Sequence, residues 1–229
     1  MGGVGSHVLY DLAALGVYNI RGVDFDKVEL SNLNRQILYN ESDIGQLKVE
    51  VARNRILQFL PSANIEFFNK KISCVEDIEN IISGQDIVIS VLDQPRDKII
   101  DWLNQACVKH HLPFICGAFD SKCAVYYSVI PGQSGCIECW KTHAKKSGLL
   151  FQDVIQKNGF VASSSLNVAI SPIISVLSGL ILTEFLKMVT QIGELQSLGR
   201  LCSFDFLTAQ TSVAEFWEKD SGCLICKSD

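Results

Sequence analysis

Residues 23–36 read VDFDKVELSNLNRQ. The run NIRGVDF, which leads into this stretch, has the composition of a short apolar strand, and it ends in two carboxylates, Asp24 and Asp26. SNLNRQ then brings Ser31, Asn32, Asn34, Arg35 and Gln36 together within six residues. A solvated loop has no need of so many fixed hydrogen-bonding groups. A nucleotide site does: a strand-end carboxylate can hold ribose hydroxyls, and an arginine can hold phosphate oxygens.

Upstream, the chain opens with MGGVGSHVLYDLAALGV. Gly2, Gly3 and Gly5 fit the last part of the dinucleotide fingerprint G-x-G-x-x-G, with Met1 in its first variable position. Val8, Leu9, Leu12 and Leu15 then recur at helical spacing, and Gly16 supplies a cap. Glycine amides at a helix N-terminus make a phosphate cradle. Asp24 lies 19 residues beyond Gly5, where the fingerprint places its ribose-binding acid. An ordinary turn is the bland alternative for the glycines taken alone. The fingerprint's first glycine and its strand are expected upstream of Met1. A doubly wound sheet without that strand would expose two strand edges, so an upstream segment or a partner is expected to fill the gap.

Downstream, ESDIGQLKVEVARNRILQFLPSANIEFF suggests a cap at Ser42 or Asp43, then a helix striped by Val49, Ala52, Ile56 and Leu60 and stopped by Pro61. Lys48 falls in its first turn, where a cation opposes the helix macrodipole. A bound anion would explain it; a solvated lysine is the alternative. Residues 65–68 read as a strand and 75–82 as a helix. DIVISVLDQPRD makes residues 87–92 an apolar strand of the kind buried on both faces of a parallel sheet, ending in Asp93. Ligands of open α/β sheets bind at the carboxyl ends of strands, which puts Asp93 on one rim with Asp24. A helix cap ahead of Pro95 is the other reading of Asp93. A helix over 98–110, strands in LPFICGAF and SKCAVYYSVIPG, a long helix over 172–189 and strands over 199–206 and 210–217 complete the pattern. The alternation predicts an α/β fold: a Rossmann-like, doubly wound mixed sheet with helices on both faces. A nucleotide-binding part would span 1–135. The crossover, an apolar interface helix and the closing strands, 136–229, would belong to the same domain.

The 229 residues suffice for one large domain or two small ones, and 48% hydrophobic content is ample for a core. A formal charge of −5 argues against nucleic acid as a partner. No basic, then apolar, signal segment opens the chain, and nine cysteines suit a cytoplasmic protein better as metal ligands than as disulfides. Residues 166–183 carry no charge, yet Ser171, Pro172, Ser175 and Ser178 interrupt them and Glu184 and Lys187 follow. A core or subunit-interface helix is expected there, not a membrane span. CIEC and CLIC offer Cys136, Cys139, Cys223 and Cys226 for a tetrahedral zinc site tying the chain end to its middle, with redox chemistry as the alternative and His143 as another nearby ligand. Cys74, Cys107, Cys116 and Cys123 read as small core hydrophobes. Residues 141–165 are polar and weakly periodic, as in a crossing or lid segment.

Taken together, GGVGS at 2–6, DFDxVxxSNLNRQ at 24–36, DIGQLK at 43–48, Asp93, CIEC and CLIC resemble the ThiF/MoeB/HesA superfamily, bacterial relatives of ubiquitin-activating enzymes. The resemblance implies use of ATP and Mg2+ to adenylate a C-terminal carboxylate on a small protein or peptide, releasing pyrophosphate. It implies that Gly3 contacts ATP phosphates and Asp24 the ribose, that Asn32 and Arg35 bind the triphosphate with Lys48 adding charge, and that Asp93 holds magnesium. Cys136, Cys139, Cys223 and Cys226 would bind Zn2+. Family members usually carry an upstream arginine reaching into the partner subunit's ATP site, and this chain starts after that position. Residues 141–165 hold no cysteine, so no enzyme thioester is expected. The partner would be a ubiquitin-like sulfur-carrier protein, as in thiamin or molybdopterin assembly, or a short precursor peptide, as in microcin-type maturation. DQP at 93–95 and PGQSGCIECW lean toward the peptide class. A homodimer is expected from the family and from the apolar 166–189 segment. An NAD-dependent oxidoreductase would leave SNLNRQ, Lys48 and the CxxC pairs unexplained. A peptide-gripping scaffold without turnover is the non-enzymatic alternative.

Overall fold

The computed structural model describes residues 1–119, 122–146 and 169–227. The chain divides into two compact units: Met1–Ser73 with Ala169–Leu182, and Cys74–Val168 with Thr183–Asp229.

In the first unit, α1 (Gly3–Ala14) buries Val4, Val8, Leu9 and Leu12, and Gly16 leaves the helix at a φ of 79° that glycine adopts without strain. β1 (Asn19–Asp24) pairs in parallel with β2 (Asn64–Asn69), with Asp24 opposite Asn69. Between them runs α2 (Lys48–Phe59), which buries Val49, Val51, Ala52 and Ile56. Ser42 and Asp43 do not cap α2. They lie in a 3-10 turn (Glu41–Asp43) whose own cap is Asn40, with Asn40 Oδ1 accepting the Ser42 amide at 3.0 Å. Four residues then separate that turn from the helix, so Lys48 itself opens α2.

The second unit holds a five-stranded sheet in the order β3 (Val88–Ser90), β4 (Phe114–Phe119), β5 (Cys123–Val129), β6 (Arg200–Asp205), β7 (Gln210–Phe216). Only β3–β4 is parallel; the other pairs are antiparallel. β3 is shorter than residues 87–92, because its ladder ends with Ser90 opposite Cys116 while β4 runs on against β5. Val88 and Ile89 are half-buried, not enclosed on both faces. α3 (Val75–Ile82), α4 (Ile99–Lys109) and α5 (Ile137–Lys146) complete this unit. Cys107 and Cys116 are core residues as expected, and burial pushes the Cys116 thiol up to about 12. Cys74 and Cys123 are only half-buried. The crossing segment lies, from residue 147 to 165, outside the described residues.

The long helix α6 (Ser171–Thr190) gives its first part to the first unit and its last part to the second. It is long and apolar enough to cross a membrane. Ile174, Leu177 and Ile181 are fully buried on it, and so is the charged Glu184. Glu184 accepts the Ser197 amide at 2.9 Å and hydroxyl at 2.7 Å, and pairs with Lys187 at 2.7 Å. A buried carboxylate is tolerable only when so satisfied.

Two glycines separate backbone approach from helix propensity. A Cβ on Gly135 would lie 2.5 Å from the Glu218 carbonyl oxygen, whereas one on Gly179 in α6 would meet open space. Gly135→Ala should destabilise the protein by about 1–3 kcal/mol. Gly179→Ala should stabilise it by about 0.5–1 kcal/mol. Denaturant titration of both variants measures this.

Candidate active site

β1 delivers Asp24 as its last residue, and Asp24 Oδ1 accepts the Asp26 amide at 2.8 Å. The Met1 amino group hydrogen-bonds Asp24 Oδ2.

DIGQLK folds back against this strand end. An isolated antiparallel bridge joins Lys27 to Leu47, Val28 N donates to Gln46 O, and Gly45, at a φ of 87°, makes the turn. That pairing lowers Lys48 onto Asp26: its amide donates to Asp26 O at 3.0 Å and its Nζ to Asp26 Oδ2 at 2.8 Å. Lys48 is only 4% exposed.

The glycine end of α1 meets the SNLNRQ loop. A Cβ on Gly3 would lie 3.3 Å from Ile174 Cδ1 and 3.5 Å from Arg35 Cδ, so a larger residue would crowd both. The nearest group to such an atom on Gly2 is Gln36 Nε2, at 3.9 Å. No acidic side chain occupies the first turn of α1, so its positive end stays available to an anion. Gly5 is buried within the helix.

Within the loop, Arg35 Nη1 donates to Ser31 O at 2.8 Å and to Asn34 Oδ1 at 2.9 Å. Asn32 is buried and accepts the Glu29 amide at 3.2 Å. Asn34 Nδ2 donates to Ala169 O at 3.0 Å, and Ser31 Oγ donates to Glu29 Oε2 at 3.2 Å. Gln36 is buried, with Oε1 lacking a partner among the described residues.

The first unit thus brings together Asp24, Asp26 and Lys48 at one strand end, and Gly2, Gly3, Arg35 and Gln36 at one helix end. Asp93 belongs to the second unit, where it is exposed just beyond β3. It does not cap α4, whose N-cap is Lys98.

The second unit assembles the four predicted thiols. The sulfurs of Cys136, Cys139, Cys223 and Cys226 are buried and lie within 4.8 Å of one another. Cys136 is 3.6 Å from Cys223 and 4.0 Å from Cys139, and Cys139 is 3.3 Å from Cys226. A zinc–sulfur bond of about 2.3 Å in a tetrahedron requires sulfurs about 3.8 Å apart. The spacing is far beyond a disulfide bond, so the donor set fits a tetrahedral, thiolate-bound ion with no vacant position. His143 is not part of the cluster; its ring lies against Phe216.

Three polar residues escaped sequence reasoning: His7, Asn104 and Glu184. All are buried on helices, each with apolar residues at helical spacing on one side: Val4 before His7, Cys107 and Val108 after Asn104, Leu180 and Ile181 before Glu184. That mismatch is the signal that could have found them. His7 Nδ1 meets Ser175 Oγ at 3.4 Å, one turn beyond Gly3.

The ThiF family profile matches residues 1–225. The chain belongs to the ThiF family. Molybdopterin-synthase adenylyltransferase of Escherichia coli K12 is 28% identical over 228 residues, 99% of this chain and 84% of that protein. The probable molybdopterin-synthase adenylyltransferase of Porphyra purpurea is 38% identical over 117 residues, 51% of this chain and 30% of that protein. E. coli MccB superposes with a TM-score of 0.82 and 25% identity in its ATP complex, covering 98% of this chain and 64% of that one. The microcin C7 biosynthetic enzyme MccB in complex with N-formylated MccA gives 0.83 and 26% over 98% of this chain. The chain therefore spans less than two thirds of MccB and about a third of the Porphyra relative.

Two outcomes follow. Burial holds the His7 imidazole below its ordinary value near 6.5, so the fold favours its neutral form. The unfolded chain gains a proton first, so this contribution is present above that value and lost as pH falls through it. The melting temperature of His7→Asn should therefore fall less than the wild type's between about pH 7.5 and about 5.5; equal falls contradict the assignment. Metal analysis should find roughly one zinc per chain, and Cys223→Ser should lower both zinc content and melting temperature.

Proposed function

We propose that the protein is an ATP-dependent adenylyltransferase that activates the C-terminal carboxylate of a small carrier protein or short peptide. The observation that carries this is Lys48. Its ammonium is buried at the positive end of α2, beside two strand-end carboxylates, in the unit that holds the glycine-led helix α1. A cation at that helix end is intelligible when a polyanion joins it.

In this reading Gly2, Gly3 and Gly5 place the α1 N-terminus under the phosphates, and Asp24 holds the ribose. Ser31, Asn32, Asn34, Arg35 and Gln36 line the triphosphate, with Arg35 and Lys48 neutralising its charge. Asp26 positions Lys48. Asp93 would hold magnesium, which when bound supplies further charge neutralisation to the leaving phosphates. A substrate carboxylate oxygen attacks the α-phosphorus in line, the bond to the bridging oxygen breaks, and pyrophosphate departs. The attacking atom comes from the substrate, so positioning and charge stabilisation carry the step and no protein nucleophile is required. Cys202 is buried in β6, which agrees with a reaction lacking an enzyme thioester. The thiol cluster would hold structural zinc.

Between the two substrate classes, the short peptide is favoured by Gln94-Pro95 after Asp93 and by the match to MccB, whose complexes contain MccA. A Gly-Gly-ending sulfur carrier is the second reading, supported by the named curated relatives. We place the enzyme in the cytoplasm, where reducing conditions keep its nine cysteines as thiols. A homodimer would cover the exposed apolar residues Leu186, Val189 and Ile192.

ATP–pyrophosphate exchange by the full-length protein, with each substrate class in turn, tests this. Arg35→Ala should slow exchange roughly 100-fold, about 3 kcal/mol of transition-state stabilisation, and Asp93→Ala should abolish it. Lys48→Met should lose exchange and also lower the melting temperature, because removing one partner leaves the Asp26 carboxylate without its counter-charge, a loss softened by the half exposure of Asp26. Wild-type exchange in Arg35→Ala contradicts the proposal.

A further inference from the structure

Asn104 lies on the buried face of α4 and is 3% exposed, with Leu103, Ala106, Cys107 and Val108 buried around it on the same helix. A primary amide in such surroundings costs free energy unless both of its ends are satisfied. Its Oδ1 accepts the amide of Ile137 at 3.0 Å, the residue between Cys136 and Glu138 that opens α5. Because a backbone N–H demands an acceptor, this bond fixes which way the amide faces. That leaves the NH2 end to face other groups at the start of α5, where Cys136 immediately precedes Ile137.

Four thiolates around a divalent zinc leave two net negative charges. Here those charges would sit among buried residues, Cys136 and Cys139 each being 1% exposed. Low dielectric makes uncompensated charge costly, and N–H donors aimed at sulfur spread it. The Asp220 amide gives one such donor to Cys139 at 3.3 Å. We propose that Asn104 is the corresponding side-chain donor to Cys136, a positioning residue that sets how tightly the cluster holds its metal. This inference rests on the reading of the cluster as a zinc site.

Asn104→Asp separates the two ends of the side chain. A carboxylate still accepts the Ile137 amide but turns an oxygen, not an N–H, toward the thiolate. The wild-type and variant holoproteins are mixed with excess chromogenic chelator, and zinc release is followed alongside zinc content and far-UV circular dichroism. Asn104→Asp should keep its secondary structure and release zinc at least ~10-fold faster, the scale at which ligand-supporting hydrogen bonds act. A folded variant that releases zinc at the wild-type rate overturns the proposal while leaving the zinc reading intact. A wild type without bound metal overturns both. Should the variant fail to fold, the wild type decides: after exchange into an NMR-active cadmium isotope, the Asn104 side-chain N–H should show spin coupling to the metal through Cys136. A cadmium-loaded protein without that coupling overturns the proposal.

Discussion

The first unit buries a full positive charge in the ammonium of Lys48. It opens a helix at the end where the backbone already presents unpaired N–H groups, and it is nearly sealed from water. Burial demands a counter-charge, and the Lys27–Leu47 bridge supplies one by setting Lys48 on Asp26. Asp26 in turn donates its amide to Asp24, so the strand end, the turn at Gly45 and the start of α2 form one connected arrangement. Asp26 remains about half exposed, which leaves the cation imperfectly screened and open to a second anionic partner.

The helix that follows the glycines completes that arrangement from the other side. Gly3 is small because Ile174 and Arg35 crowd it, and the contact brings the arginine's stem against the first turn of α1. The guanidinium is meanwhile held within the loop by Ser31 and Asn34. Its position is thus set before any phosphate arrives, which lowers the ordering cost of binding one. The second unit uses a different fastening. The CLIC end of the chain returns to α5, and Trp217, packed on Trp140 and Tyr127, donates its indole N–H to Gly135 O at 3.0 Å.

Much of this was legible in the sequence, for definite reasons. α1, α2, α3 and α6 lie where hydrophobic spacing placed them, and the paired CxxC motifs predicted the thiol cluster because sulfur ligands announce themselves by type and spacing. The cap of α2 is not legible: Ser42 and Asp43 have capping chemistry, but they spend it on a separate 3-10 turn, while Lys48 does lie in the first turn of the helix. β3 was overextended because apolar composition does not reveal where a neighbouring strand stops pairing. What His7, Asn104 and Glu184 bond to is not legible, for a shared reason. Their partners, Ser175, Ile137 and Ser197, lie elsewhere in the chain, and no local pattern encodes contacts of that range.

In the proposed reaction ATP breaks between its α- and β-phosphates and the nucleotide passes to a carboxylate. The most direct measurement incubates the full-length protein and its substrate with ATP labelled at the α-phosphate, and in parallel with ATP labelled at the γ-phosphate, then identifies the labelled products by mass spectrometry. Adenylation puts the α-label in a substrate adenylate and the γ-label in pyrophosphate. A γ-labelled substrate, or ADP as the nucleotide product, would contradict it.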